Sequence, residues 1–193
     1  MAGIYIHIPY CKQKCCYCNF HFRTTHADKP EMLKSIKNEI KLRKSYLGEN
    51  IINSIYFGGG TPSIINTKEI SSLIKQIDNN FIIDNNAEIT LECNPEDLTQ
   101  EMLNNLKKTR INRLSIGVQS FDDKDLIFMN RSHNAEQAIK CISLAQKIGF
   151  KNISIDLIYG IPNQTNKKWE ENLTKMLDLN IQHFSAYALT IEP

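Results

Sequence analysis

What this 193-residue chain lacks narrows its class before any motif is read. No apolar run comes near the roughly 18–20 residues that a bilayer-spanning helix requires, so no transmembrane segment is expected. The opening Met1-Ala2-Gly3-Ile4-Tyr5-Ile6-His7 carries neither a basic stretch nor a long apolar one. No secretory signal is read there, and the cytoplasm is the expected compartment. Neither sign of charge dominates, with 23 Lys and Arg against 21 Asp and Glu. Nucleic-acid binders concentrate a basic excess, so nucleic acid is not an expected partner. The one concentration, Lys34, Lys37, Lys41 and Lys44, reads as the solvated face of a helix. The single Trp169, near Leu173 and Met176, reads as helix packing. Internal repeats and low-complexity linkers are also missing, so residues 1–193 are read as one domain around one core.

What is present is cysteine, six in all, four of them within Cys11–Cys18. In a reducing compartment a disulfide framework is not expected, and thiols this dense more often bind metal. Cys93 and Cys141 stand apart and read as small buried hydrophobes. Four N-x-S/T triplets, at Asn130, Asn152, Asn163 and Asn172, read as coincidence in a chain that does not meet the glycosylation machinery.

Apolar residues alternate in six short segments: Gly3–Ile8, Asn53–Phe57, Glu88–Cys93, Arg113–Val118, Asn152–Ile158 and Gln182–Ala188. These read as strands. Between them, helical spacing marks Pro30–Leu47, Thr67–Ile77, a helix opening at the cap Thr99, Asp122–Met129, Asn134–Ile148 and Lys167–Leu179. Strictly alternating strands and helices predict a parallel sheet. It would be either a doubly wound open sheet or a partial (β/α)6 TIM-like barrel. The chain stops after the sixth strand with Thr190-Ile191-Glu192-Pro193 and no closing helix. It reads as a truncated core that leaves one barrel edge unpaired.

In either architecture ligands bind beyond the carboxyl ends of the strands. Those ends carry Cys11, Cys15 and Cys18; Gly58-Gly59-Gly60-Thr61; Glu92; Gln119; Asp156; and Tyr187. Polar or side-chain-free residues at the ends of apolar strands describe one composite site. The C-x3-C-x2-C spacing suits three irons of a [4Fe–4S] cluster, leaving one iron for an outside ligand. It also suits zinc, with His21 or His26 completing a Cys3His set. Cys16, adjacent to Cys15, cannot easily aim at the same metal and reads as a non-ligand. The glycine run is neither a Walker loop nor G-x-G-x-x-G; it lets backbone approach a ligand. Asp156 lies inside an apolar strand, where an unpaired carboxylate would be costly. Gln119 reads alternatively as a turn cap, and Arg131 as a partner of Asp122 or Asp125. His7 reads as a satisfied core histidine.

The C-K-Q-K-C-C-Y-C run with Tyr17 before its last cysteine, and Y-F-G-G-G-T-P-S at Tyr56–Ser63, resemble the radical S-adenosylmethionine (SAM) superfamily. L-E-C-N-P-E, S-I-G-V-Q-S-F, N-R at Asn130-Arg131 and D-L-I-Y-G-I-P are similar to its coproporphyrinogen-dehydrogenase subfamily. The resemblance favours the partial barrel. It implies a [4Fe–4S] cluster on Cys11, Cys15 and Cys18. It further implies SAM contacts from Tyr5, Tyr17, Gly59, Gly60, Thr61, Glu92, Gln119, Arg131 and Asp156.

True dehydrogenases of the subfamily resemble C-x3-C-x2-C-x-C, but Phe20 stands at the place of the further cysteine. C-Y-C-N-F and the closing T-I-E-P are instead similar to its haem-chaperone branch. That implies haem delivery to an acceptor protein, with haem held by a C-terminal region beyond Pro193. The alternatives are oxygen-independent decarboxylation of coproporphyrinogen III, and a zinc-stabilised binding domain.

Overall fold

The computed structural model describes residues 2–48 and 51–192, so Met1 of the opening segment and Pro193 of the closing T-I-E-P lie outside the described residues. Six strands alternate with helices: β1 (Ala2–Ile8), α1 (Lys29–Leu42), β2 (Ile52–Gly59), α2 (Thr67–Asp78), β3 (Ile83–Cys93), α3 (Gln100–Leu106), β4 (Arg113–Gln119), α4 (Asp123–Phe128), α5 (Ala135–Ile148), β5 (Asn152–Tyr159), α6 (Asn166–Asp178) and β6 (His183–Ala188). All strand pairs are parallel, and the spatial order follows the chain from β1 to β6. A doubly wound sheet reverses its order at a switch point, and this one does not. The fold is the partial (β/α)6 barrel.

The alternation read from the sequence is the alternation of the two sheet faces. Ile6, Ile8, Ile55, Phe57, Ile89, Leu91, Leu114, Ile116, Ile153 and Ile155 are buried and form one core with the helices. The helices contribute Leu33, Ile70, Leu73, Leu103, Ile142 and Ala145 to it, while Trp169 packs at its margin. The opposite face is polar. There Arg113 donates to Thr90 Oγ1 at 3.3 Å and Ser154 Oγ at 3.0 Å, and Ser154 donates to Ser115 Oγ at 3.2 Å. One face therefore makes the core, and the other carries polar side chains.

Caps set most helix ends. Asn134 and Gln137 form a capping box at the start of α5, and Gly149 closes it in the left-handed conformation. Thr99 caps α3 through Met102 N–H. For α2 the cap is Asn66, boxed with Glu69, and Thr67 is already helical.

Three boundaries differ from the expectation by two residues or more. α1 ends at Leu42, because residues 43–48 tighten into successive turns from Lys41, Arg43 and Ser45. Leu47 still packs on the core, so its helical spacing came from a tertiary contact. β2 runs on through Gly58 and Gly59, which pair with His7 and Ile8. β3 begins early, at Ile83, with an irregularity between Ile52↔Ile83 and Ser54↔Glu88.

β6 is exposed along most of its length, with Phe184 and Tyr187 on the surface. Among the described residues no helix is long and apolar enough to cross a membrane.

Candidate functional site

The segment after β1 is tied at both ends. Near its start, Cys11 N–H donates to Arg23 O at 3.0 Å and Arg23 N–H to Pro9 O at 2.8 Å, closing the loop on itself. The glycine turn after β2 is laced to the same stretch. Gly60 N–H donates to Ile8 O at 2.9 Å and Thr61 N–H to Tyr10 O at 2.7 Å. On the far side Asn130, with φ +56°, donates from Nδ2 to Lys14 O at 2.6 Å and accepts from Gln13 Nε2 at 2.6 Å. Lys12 pairs with Asp97, which also accepts from Ser63 Oγ at 2.6 Å. The cysteine loop is thus held by the segments that follow β2, β3 and α4.

Cys11, Cys15 and Cys18 all line one cavity at the carboxyl ends of the strands, with Tyr17, Gly59, Gly60, Thr61, Glu92, Gln119, Arg131 and Asp156. Tyr5 does not line it. It stands on β1, stacked on Tyr56 with ring centroids 6.0 Å apart. Cys16 packs instead against the small apolar cluster of Leu126, Met129, Ile158 and Ile161. Burial pushes the Cys11 and Cys18 thiols up; the Thr61 hydroxyl, 3.4 Å from Cys11 Sγ, opposes this at Cys11. Cys93 and Cys141 are buried in the core, where burial raises the Cys141 thiol to about 12.

Glu92 accepts from Tyr56 Oη at 2.7 Å and from Gly59 N–H at 3.1 Å. Burial still leaves its carboxyl above the usual range, and it does the same to Asp156, where Ser185 opposes. These two carboxyls and Arg131 give the cavity both signs of charge.

Arg131 does not pair with Asp122 or Asp125. Asp122 is taken by Lys168 at 2.9 Å, and Asp125 by Ser120 Oγ at 2.9 Å. Its guanidinium turns instead to the cavity, donating to Asn94 Oδ1 at 2.7 Å, Gly117 O at 2.8 Å and Tyr17 Oη at 3.1 Å. Its Nε is buried without a hydrogen-bond partner. His7 is not a core histidine: it is half-buried beside the glycine turn, with Nε2 2.9 Å from His21 O.

Gln119 owes its direction to strained backbone. Its φ is +67°, and Ser120 N–H reaches back to Val118 O at 2.9 Å, a γ-turn of the rare positive-φ kind. The turn is held from behind by Asn172 of α6, whose Oδ1 accepts from Phe121 N–H at 2.6 Å, and by Ser120 on Asp125. Asn172→Ala is expected to cost about 2 kcal/mol, because it leaves a buried N–H without an acceptor. Gln119→Gly, which relieves the strain, is expected to melt at or above the wild-type temperature. Thermal unfolding of both variants checks the pair of signs.

Sequence reasoning did not reach Tyr56 as the partner of Glu92, Asn94 as the partner of Arg131, or the Lys12–Asp97–Ser63 tie. The Asn94-Pro95-Glu96 sequence after a strand was the available signal for the second of these.

The radical SAM superfamily model matches residues 5–176. The haem chaperone HemW of Haemophilus influenzae is 37% identical over 99% of this chain and 51% of its own length. That of Bacillus subtilis is 35% identical over 100% of this chain and 52% of its own. The chain therefore spans about half the length of these curated relatives. Among solved structures, coproporphyrinogen III oxidase (HemN) of Escherichia coli, described as a radical SAM enzyme, superimposes with a TM-score of 0.89 at 32% identity. That match covers 97% of this chain and 44% of the oxidase.

Proposed function

Because the chain belongs to the radical SAM superfamily, we propose that its cavity holds a [4Fe–4S] cluster and SAM, and that the protein serves as a haem chaperone. The observation that carries the cofactor reading is a separation among four neighbouring cysteines. Three line the cavity with Glu92, Arg131 and Asp156, while Cys16 packs among apolar side chains. The donor set suits the cluster. Three thiols on one loop, all lining the same cavity, suit one thiolate per iron. His26 has its Nε2 3.1 Å from Cys11 O, so that nitrogen is engaged with backbone.

Cys11, Cys15 and Cys18 would hold three irons. A cluster bound there supplies the electron for reductive cleavage of SAM. The chain's own groups bind and orient. Gly59 and Gly60 bring backbone close to an ammonium, Glu92 and Asp156 accept from hydroxyls or face positive charge, and Arg131 offers its positive charge to a carboxylate. Tyr5, one layer removed, acts through Tyr56 and Glu92.

The chaperone reading rests on the relatives and on Phe20, which stands exposed at the cavity rim where a dehydrogenase would carry a cysteine. Haem and a haem-accepting protein are then the partners, the cytoplasm is the compartment, and residues 1–193 form the SAM-binding domain. We place the haem site in the part of the relatives' length that this chain does not span. The test is a haem titration of the anaerobically reconstituted full-length protein beside the 193-residue chain. Saturable binding by the former alone is expected. Oxidative decarboxylation of coproporphyrinogen III with SAM and reductant would replace this reading with the dehydrogenase.

A further inference from the structure

Each terminal nitrogen of Arg131 meets two acceptors around the cysteine loop. Nη1 faces Tyr17 Oη at 3.1 Å and Cys15 Sγ at 3.5 Å. Nη2 faces Asn94 Oδ1 at 2.7 Å and Gly117 O at 2.8 Å. A guanidinium only donates, so the Asn94 atom turned toward it is the carbonyl oxygen. The amide nitrogen of Asn94 then points the other way.

There Asn94 Nδ2 meets Thr61 Oγ1 at 3.3 Å. An amide nitrogen donates, so the Thr61 oxygen accepts and its single hydrogen is directed elsewhere. Cys11 Sγ lies 3.4 Å from that oxygen and takes it, and Thr61 is buried. Each group donates to the next, and Arg131, which cannot accept, fixes the direction. The backbone holds Asn94 in place for this. Its N–H donates to Ser63 Oγ at 3.2 Å, Ser63 Oγ donates to Asp97 Oδ2 at 2.6 Å, and Asp97 N–H returns to Asn94 O at 3.1 Å. The pair of Lys12 with Asp97 ties this turn to the cysteine loop.

We propose that Asn94 is a positioning residue that aims the Thr61 hydroxyl at Cys11 Sγ. Arg131 thereby serves two ligand sulfurs, donating to Cys15 itself and ordering the donor to Cys11. The proposal rests on the assignment of these thiols to a [4Fe–4S] cluster. Hydrogen bonds donated to ligand sulfurs offset negative charge and so raise the reduction potential of a cluster they hold.

A redox titration of the full-length, anaerobically reconstituted protein without SAM tests it, read by electron paramagnetic resonance of the reduced cluster. Thr61→Val keeps the shape of the side chain and removes the donor. At a fixed potential its ratio of reduced to oxidised cluster is expected to fall about tenfold, a shift of about 59 mV for one electron. Thr61→Ser, which keeps the hydroxyl, is expected to titrate close to the wild type. Asn94→Ala is expected to lower the potential in the wild type but by less in the Thr61→Val background, where the hydroxyl it orients is already gone. An unchanged potential in Thr61→Val would overturn the proposal even if the variant melts lower. So would an Asn94→Ala shift of equal size in both backgrounds, since Asn94 would then act without Thr61. If Thr61→Val assembles no cluster, Asn94→Ala alone decides, and an unchanged potential there overturns the proposal. Wild-type protein that assembles no cluster would overturn the cofactor reading together with this one, whereas a cluster indifferent to these variants overturns this one alone.

Discussion

Replacing Cys11, Cys15 or Cys18 with Ala is expected to leave anaerobically reconstituted protein almost free of cluster iron, whereas Cys16→Ala retains about four irons per chain. The contrast follows from placement. The first three thiols line a cavity that also contains the Arg131 guanidinium, 3.5 Å from Cys15 Sγ. Cys16 instead turns its side chain toward Leu126, Met129, Ile158 and Ile161, while its backbone is held by Met129 O at 3.3 Å and Glu192 N–H at 2.9 Å. Its Sγ adds a small apolar contact, so Ala removes packing and no ligand. Iron and acid-labile sulfide analysis of the four variants checks the assignment. Loss of iron in Cys16→Ala would refute it, and stoichiometric zinc without iron or sulfide in the wild type would favour the zinc-stabilised domain.

Gly60→Ala is expected to destabilise the protein by about 3 kcal/mol, near the upper end for overpacking a buried site. A Cβ at this position would lie 2.7 Å from Tyr10 O, 2.9 Å from Tyr10 N and 3.0 Å from Ile8 O. All three are backbone atoms of the strand end that launches the cysteine loop, so no rotamer change relieves the contact. The shift needed would also break Gly60 N–H to Ile8 O and Thr61 N–H to Tyr10 O, the two bonds that set the loop against the glycine turn. Reduced iron content should therefore accompany the lower melting temperature. At Gly59 the same Cβ meets the His7 ring, a side chain that can move, although φ of +115° adds backbone strain. Gly48, at φ +59° in open space, is the control for strain without a clash. Thermal melts ranking Gly60→Ala well below Gly48→Ala are the expected outcome; equal melting would remove the close-approach argument.

Much of this molecule is written locally. Alternation in Ile4-Tyr5-Ile6-His7-Ile8 and in Leu114–Val118 fixes strands with one apolar face, because a period of two places successive side chains on opposite sides. Asn134 with Gln137, and Gly149, fix both ends of α5 through hydrogen bonds spanning a few residues. The C-x3-C-x2-C spacing and the glycine run name the chemistry of the strand ends for the same reason, since their meaning lies within eight residues or fewer.

Other features depend on which segments the barrel brings together. The consecutive strand order, which excludes a doubly wound sheet, is a property of pairing between distant segments. Leu47 continued a helical spacing but reaches the core from a turn, because packing accepts a side chain from any backbone that delivers it. The partners of Arg131 come from β4, the cysteine loop and the residue after β3; its near neighbours Asp122 and Asp125 are occupied elsewhere. Asn172, on α6, holds the turn that directs Gln119, and Glu96 meets His133 across the same strand ends. The sequence by itself determined the elements, their polarity and the motifs of the radical SAM superfamily, all carried by short-range patterns. Only the tertiary structure decided which polar groups share a buried space, because strand register and crossover geometry set those contacts.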